Sequence, residues 1–267
     1  MTSGSGAPRL TVLGCGTVVP DHERHPSAYL VEAPGVSALV DCGAGTLSRL
    51  SSLSVDWQSL SHVVLTHFHD DHAGGLPGLW AAWKYGMEPA RQAPVAVVGP
   101  PGTEALLRTM GALDPHPAGL PLFRTEVTEI VPGRSIRLGP LTLTCHPTPH
   151  TDESVAYRFA GGGRVLGLTG DTGPSDDVAS FLAGCDAVVA ECSWNDPLPV
   201  PVHLSPVTLA AMARTMDPRL LVLTHVYPNH MTPEQAVARV AAAGWAGRIE
   251  AAYDGFRLDT ALLDLSR

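Results

Sequence analysis

The sequence predicts an α+β protein: a β-sandwich with helices on both outer faces. Two observations give this class. Strand-rich and helix-rich stretches follow one another twice, in two comparable halves of the 267 residues. Glycine (27) and proline (24) are spread along the chain, as many short elements joined by turns require. An all-parallel doubly wound sheet fits this alternation less well. With no short-period repeat and no linker, residues 9–267 read as one domain, behind a small polar stretch at 1–8 expected to be a disordered, frayed terminus.

Taken in order, Arg9 to Leu13 alternates like a strand, and Ser27 to Glu32 and Val36 to Asp41 read as two more around the Pro34-Gly35 turn. A helix through Leu47 and Leu50 follows. His62 to Thr66 is a fourth strand, and a helix over 76–86 lines Leu76, Leu79, Trp80 and Trp83 on one face as core. Val95 to Val98 reads as a buried strand, 102–111 as a helix and 115–121 as a proline- and glycine-rich connection. Strands are expected at 125–131, 135–138, 141–146, 155–159 and 165–169, and then a helix at 175–183 and a buried strand at 187–190. A loop at 193–202, a helix at 206–216, a strand at 220–224, a helix at 233–243 and strands near 249–252 and 256–258 complete the chain.

Composition narrows the function classes. The formal net charge of −9 argues against broad binding to nucleic acid, whose affinity comes mainly from Lys and Arg on phosphates. Five cysteines without a C-x-x-C pair read as reduced thiols of a cytoplasmic protein. No signal-peptide pattern is visible at the start, and no apolar run approaches the roughly 20 residues that span a bilayer.

Chemistry concentrates in Thr66-His67-Phe68-His69-Asp70-Asp71-His72. Histidine is the commonest metal-ligating side chain, and carboxylates suit the same cations. In extended chain His67 and His69 point the same way, whereas Asp71 and His72 fall where a helix begins, so two neighbouring clusters form. Two metals need more ligands, and later strand ends supply them. His150 follows the strand at 141–146 and is favoured over His146, which sits inside the strand pattern. Asp171, in Gly170-Asp-Thr-Gly173, stands at a tip where one carboxylate can bridge two cations. His225 ends the strand at 220–224, and Thr-His recurs at 66–67 and 224–225.

Together these residues resemble the metallo-β-lactamase superfamily, in its ribonuclease Z-like branch. The ligand series His67-x-His69-x-Asp71-His72, His150, Asp171 and His225 matches in order, as do Leu13-Gly-Cys-Gly-Thr17, Asp41-Cys-Gly-Ala-Gly-Thr46, Glu191 and His203-Leu-Ser205. The resemblance covers about 9–258 and implies a four-layer αββα sandwich, the metallo-β-lactamase fold, with metals at one end of the sheets. It places His67, His69 and His150 on one metal and Asp71, His72 and His225 on the other, with Asp171 bridging. All-N/O ligation suits two Zn²⁺ per chain, and Mn²⁺ or Fe²⁺ are alternatives. Asp41 is expected behind the ligands, orienting a histidine.

The implied function is a metal-dependent hydrolase in which a hydroxide bridging the cations is the nucleophile. Asp71 belongs to that catalytic set as well as to the ligands. Glu191 and His203 match the branch's pair that protonates the leaving group, which favours phosphodiesters, whose alkoxide leaves poorly without an acid. Ribonuclease Z proper carries a long tRNA-clamping arm between the third histidine and the bridging aspartate, whereas here only 151–170 intervenes. Cys192-Ser193 also replaces its usual Ala-Thr. A small substrate such as a cyclic nucleotide is therefore expected, and tRNA is not. A lactonase, esterase or arylsulfatase-like biosynthetic hydrolase is the alternative, and a non-catalytic metal- or ligand-binding protein a further one. Relatives of this kind are often dimers, so the resemblance allows a homodimer, while the oligomeric state stays open. His22 and His25 read as a solvated loop.

Overall fold

The computed structural model describes residues 6–111 and 123–263. The connection expected at 115–121 lies outside them, as do residues 1–5 of the terminus. The frayed reading of 1–8 is corrected at its inner end. Ala7 is buried, and the Pro8 carbonyl accepts a hydrogen bond from the Thr260 hydroxyl at 2.7 Å, so the turn at Thr260–Leu262 ties this segment down.

The first half contains β1 (Arg9–Gly14), β2 (Ala28–Ala33), β3 (Val36–Val40), α1 (Thr46–Ser52), β4 (His62–Val64), α2 (Asp70–Ala73), α3 (Leu76–Tyr85), β5 (Val95–Gly99), α4 (Thr103–Gly111) and β6 (Thr125–Glu129). The second contains β7 (Ser135–Leu138), β8 (Leu141–Pro147), β9 (Val155–Gly161), β10 (Arg164–Leu168), α5 (Asp176–Leu182), β11 (Ala187–Glu191), α6 (Pro206–Met216), β12 (Leu220–Thr224), α7 (Pro233–Ala242), β13 (Ile249–Ala251) and β14 (Arg257–Asp259). One sheet runs β14-β1-β2-β3-β4-β5-β6 and the other β13-β12-β11-β10-β9-β8-β7. The last strand thus leaves its neighbours and returns to pair antiparallel with β1.

The central strands of each sheet are buried on both faces, which makes four layers. Along β12, Leu220 and Val222 enter the core between the sheets, while Leu221 and Leu223 pack beneath α5, α6 and α7. Along β1, Leu10 and Val12 face the inter-sheet core and Leu13 faces the layer of α1 and α3. Period-two alternation is what lets one strand serve two cores. Local signals fix the helix starts: Ser205 and Thr232 form capping boxes with Thr208 and Gln235, each followed by proline at the first helical position.

The pairing directions matter most for function. β3, β4, β5 and β6 run parallel in one sheet, and β10, β11, β12 and β13 in the other. Parallel strands finish at a common edge, so the loops beyond them are brought together there.

Candidate metal centre

Those strand ends carry the reactive side chains. Asp41 follows β3, His67 lies beyond β4, Asp171 follows β10, Glu191 ends β11 and His225 follows β12. His69 caps α2, whose first turn holds Asp71 and His72, and His150 lies on the turn between β8 and β9. Asp41 and His225 adopt left-handed backbone, φ 56° and 54°, a conformation that costs a non-glycine residue about 1–3 kcal/mol. Both turns are held by backbone hydrogen bonds, Asp41 N–H to the Val64 carbonyl at 2.8 Å and His225 N–H to that of Cys15 at 2.9 Å. Gly173 has no room for a side chain, because a Cβ there would collide with the Pro201 backbone, so the Asp171 loop lies directly against the segment that leads into His203.

The structure brings all seven side chains together. His67, His69, His150 and Asp171 form one group, Asp71, His72 and His225 a second, and Asp171 joins His203 and His225 in a third. Asp171 touches both sides: Oδ2 lies 3.7 Å from His150 Nε2, 3.9 Å from His67 Nε2 and 3.6 Å from His225 Nε2, and Oδ1 lies 3.4 Å from His72 Nε2. His150 Nε2 faces His69 Nδ1 at 3.1 Å, His72 Nε2 faces His225 Nε2 at 3.4 Å, and Asp71 Oδ2 is 3.2 Å from His225 Nε2. Two ligands held about 2.1 Å from one tetrahedral cation stand about 3.4 Å apart. The spacing therefore suits cations between these atoms.

Two carboxylates behind the cluster decide which nitrogens face inward. Asp41 accepts from His72 Nδ1 at 2.7 Å and from the Thr66 hydroxyl at 2.8 Å. With its proton given to Asp41, the Thr66 oxygen accepts from His67 Nδ1 at 3.0 Å. Glu191 repeats the device. It accepts from His203 Nδ1 at 3.0 Å and from the Ser193 hydroxyl at 2.5 Å, and Ser193 in turn accepts from His225 Nδ1 at 3.0 Å. His150 Nδ1 donates to the Val202 carbonyl at 2.8 Å. A carboxylate or carbonyl only accepts, so Nδ1 carries a proton in each ring; on His67, His72, His150 and His225 this leaves Nε2 as the atom that would face a cation, while His203 can hold a second proton on Nε2. His67 Nε2 is buried without a hydrogen-bond partner, an arrangement that costs free energy unless a cation takes the lone pair. The donor set fits divalent metal ions.

The electrostatics agree. Burial would raise the Asp171 carboxyl, but His225, His72 and His67 outweigh it and hold it well below the usual range. Burial likewise opposes ionisation of Asp71, yet the His225 hydrogen bond and the His72 charge bring it down to about 2. Burial, with His72 adding repulsion, lowers His67 to about 2, so its lone pair is free at neutral pH. For His203, burial disfavours protonation but the Glu191 hydrogen bond and charge, with help from Asp171 and Asp71, raise its pKa above the ordinary value.

Residues 37–226, which include every one of the seven side chains, match the model described as the beta-lactamase superfamily domain. The chain belongs to the beta-lactamase superfamily. This superfamily hydrolase is 31% identical over 279 residues to Ribonuclease Z of Mycobacterium bovis, with 94% of this chain and 97% of the relative covered. It is therefore placed in the ribonuclease Z-like branch. Among solved structures, the metallo-beta-lactamase fold protein YhfI from Bacillus subtilis superposes with a TM-score of 0.83 at 22% identity, covering 95% of this chain and 99% of that one. Human tRNase Z, short form, gives 0.76 at 21% identity, covering 94% and 99%.

These relatives correct the expected partner. A small-molecule substrate and the exclusion of tRNA rested on the −9 charge and on the short 151–170 segment, which forms only the β9–β10 hairpin and its approach. Formal charge omits bound cations, which are the largest local charges in such a site, and so it does not report on phosphates there. The similarity to Ribonuclease Z along nearly the whole chain overturns that exclusion.

Other residues divide clearly. His146 stays in β8 with its ring stacked on Phe181 at 5.3 Å, away from the cluster. Trp83 is fully buried in the α3 layer, as expected of core. His25 is no solvated loop residue: its Nδ1 lies 2.8 Å from the buried Asp254, which returns from the far end of the chain. Cys192-Ser193 departs from Ala-Thr without losing the hydroxyl that links Glu191 to His225. Thr66, Ser193, Trp194 and Tyr227 also belong to the site. Of these, only Thr66 had a sequence signal, through the recurring Thr-His pair. All five cysteines are buried and free, and among the described residues no helix is long and apolar enough to cross a membrane.

Proposed function

We propose that this chain is a phosphodiesterase that cleaves RNA, with two divalent cations, preferably Zn²⁺, as its cofactors. The observation that carries this reading is the His203–Glu191 pair set against Asp171: His203 Nδ1 lies 3.0 Å from Glu191 Oε1 and 3.9 Å from Asp171 Oδ2. Hydrolysis of a lactone or a β-lactam has less use for a dedicated acid, whereas a ribose alkoxide is a poor leaving group. The substrate class follows the name its mycobacterial relative carries, Ribonuclease Z.

His67, His69 and His150 would hold one cation, Asp71, His72 and His225 the other, and Asp171 would serve both. When bound, such cations lower the pKa of water and stabilise charge on phosphoryl oxygens. The chain's own residues supply the rest. Asp41, Thr66 and Ser193 fix the ring orientations, and Val202 fixes His150. Glu191 keeps the His203 imidazolium charged and aligned, so that its Nε2 proton passes to the departing oxygen. Burial of Asp171 and Glu191 keeps bulk water from competing with these contacts.

The test is turnover by the metal-loaded full chain on three substrates: an RNA transcript with a 3′ extension, bis(p-nitrophenyl) phosphate, and a lactone. Cleavage of both phosphodiesters is the expected result. Lactone hydrolysis with neither phosphodiester cut would sink the reading.

A further inference from the structure

A phosphoryl group entering this site needs donors for the oxygens that the cations do not take. Arg24 reaches this end of the sandwich, where its Nη1 donates to the Val226 carbonyl at 3.1 Å, but the rest of its fork is committed to Asp21 at 3.0 and 2.7 Å. Tyr227 is different. Its ring stands edge-on to His225, 5.8 Å between centroids, and to His203, 6.2 Å. The phenol is half-buried and makes no hydrogen bond among the described residues.

The surroundings hold that ring in place. Trp194 stacks on it at 5.7 Å with an interplanar angle of 28°, and His230 packs on Trp194 at 4.3 Å. The turn is closed by His230 N–H donating to the Tyr227 carbonyl at 3.0 Å, and the Asn195 amide donates to the His230 carbonyl at 2.8 Å. A hydroxyl with no partner, on a ring braced from both sides beside the acid and a proposed ligand, is placed to meet something that arrives from outside.

We infer that the Tyr227 hydroxyl donates a hydrogen bond to a phosphoryl oxygen of the bound substrate. The inference rests on the phosphodiester reading for its substrate class. A phenol suits the role because it is neutral and protonated at physiological pH and its rigid ring loses little entropy on binding. It also adds a donor without adding a cation that would repel the metals.

The experiment compares the metal-loaded wild type with Tyr227→Phe, which keeps the ring and removes only the donor. Inorganic phosphate binding is read by calorimetry, with metal content and melting temperature measured alongside. A hydrogen bond to a charged partner predicts about 10- to 100-fold weaker phosphate binding in Y227F, with metal content and melting unchanged. On bis(p-nitrophenyl) phosphate, the same loss appears mainly in KM if the contact is made equally in the ground and transition states, and in kcat if it tightens in the transition state. Phosphate affinity within about twofold of wild type in Y227F overturns the inference, as does a wild type that binds no phosphate. The two claims separate cleanly. Weakened phosphate binding in Y227F by a protein that cuts no phosphodiester supports the tyrosine contact and defeats the phosphodiesterase reading. Undiminished binding in Y227F by an active phosphodiesterase does the reverse.

Discussion

Replacing His203 by alanine isolates the acid from the rest of the site. The variant is expected to fold, because Glu191 keeps its other donors: the Thr172 amide at 2.7 Å, the Ser193 hydroxyl at 2.5 Å and the Leu204 amide at 3.1 Å. No buried carboxylate is stranded, and His225 keeps its link through Ser193. What disappears is the proton donor. General acid catalysis contributes roughly 10²- to 10⁴-fold, about 3–5.5 kcal/mol of barrier. The full loss, about 10³-fold in kcat, is expected on RNA, whose leaving group is an alkoxide. On bis(p-nitrophenyl) phosphate the leaving phenolate departs without assistance, and the loss stays within about tenfold. Both rates are measured on the same metal-loaded preparation, with metal content verified. Equal losses on the two substrates would refute the reasoning, since they would make His203 a binding or structural residue and not the acid.

Three further outcomes follow from the same geometry. Glu191→Gln removes the charge that raises the His203 pKa and leaves the opposing effect of burial, so the acid loses its proton at lower pH; the alkaline fall in RNA cleavage moves down the pH axis, and an unmoved pH–rate profile contradicts the pairing. Ser193→Ala frees His225 Nδ1 from its oxygen and is expected to weaken metal binding about 10- to 100-fold in a chelator competition, with Ser193→Thr restoring it; equal affinity in the alanine variant shows the link is idle. Leu143→Ala empties part of the inter-sheet core at a fully buried position, costing about 2–5 kcal/mol by denaturant unfolding while leaving metal stoichiometry intact.

Much of this molecule was legible in its sequence because its signals are local. Short apolar runs bounded by turns, such as Leu220–Thr224, suit strands buried on both faces, and helix starts at Pro206 and Pro233 follow serine and threonine caps. His67, His69, Asp71 and His72 crowd one turn, and no packing role needs three histidines so close. The return of β14 to β1 was hidden, since a three-residue strand carries no mark of its partner. Most of the supporting shell was hidden for a related reason: the Ser193 hydroxyl and the Tyr227 ring look like any others until the strand ends converge. His25 deceived because Asp254, its partner, lies 229 positions away. The charge argument against RNA failed on different grounds. Net charge weighs the chain as a whole and does not count divalent ions that a cluster of histidines and carboxylates can hold.

On the proposed reading, two cations gathered by side chains from both sheets make this chain cleave phosphodiester bonds. Chelator-stripped protein titrated with Zn²⁺ while RNA cleavage is followed tests it most directly. Cleavage absent from the stripped chain and reaching its plateau at two equivalents per chain is the predicted result. A plateau at one equivalent, or no cleavage at any metal level, would contradict it.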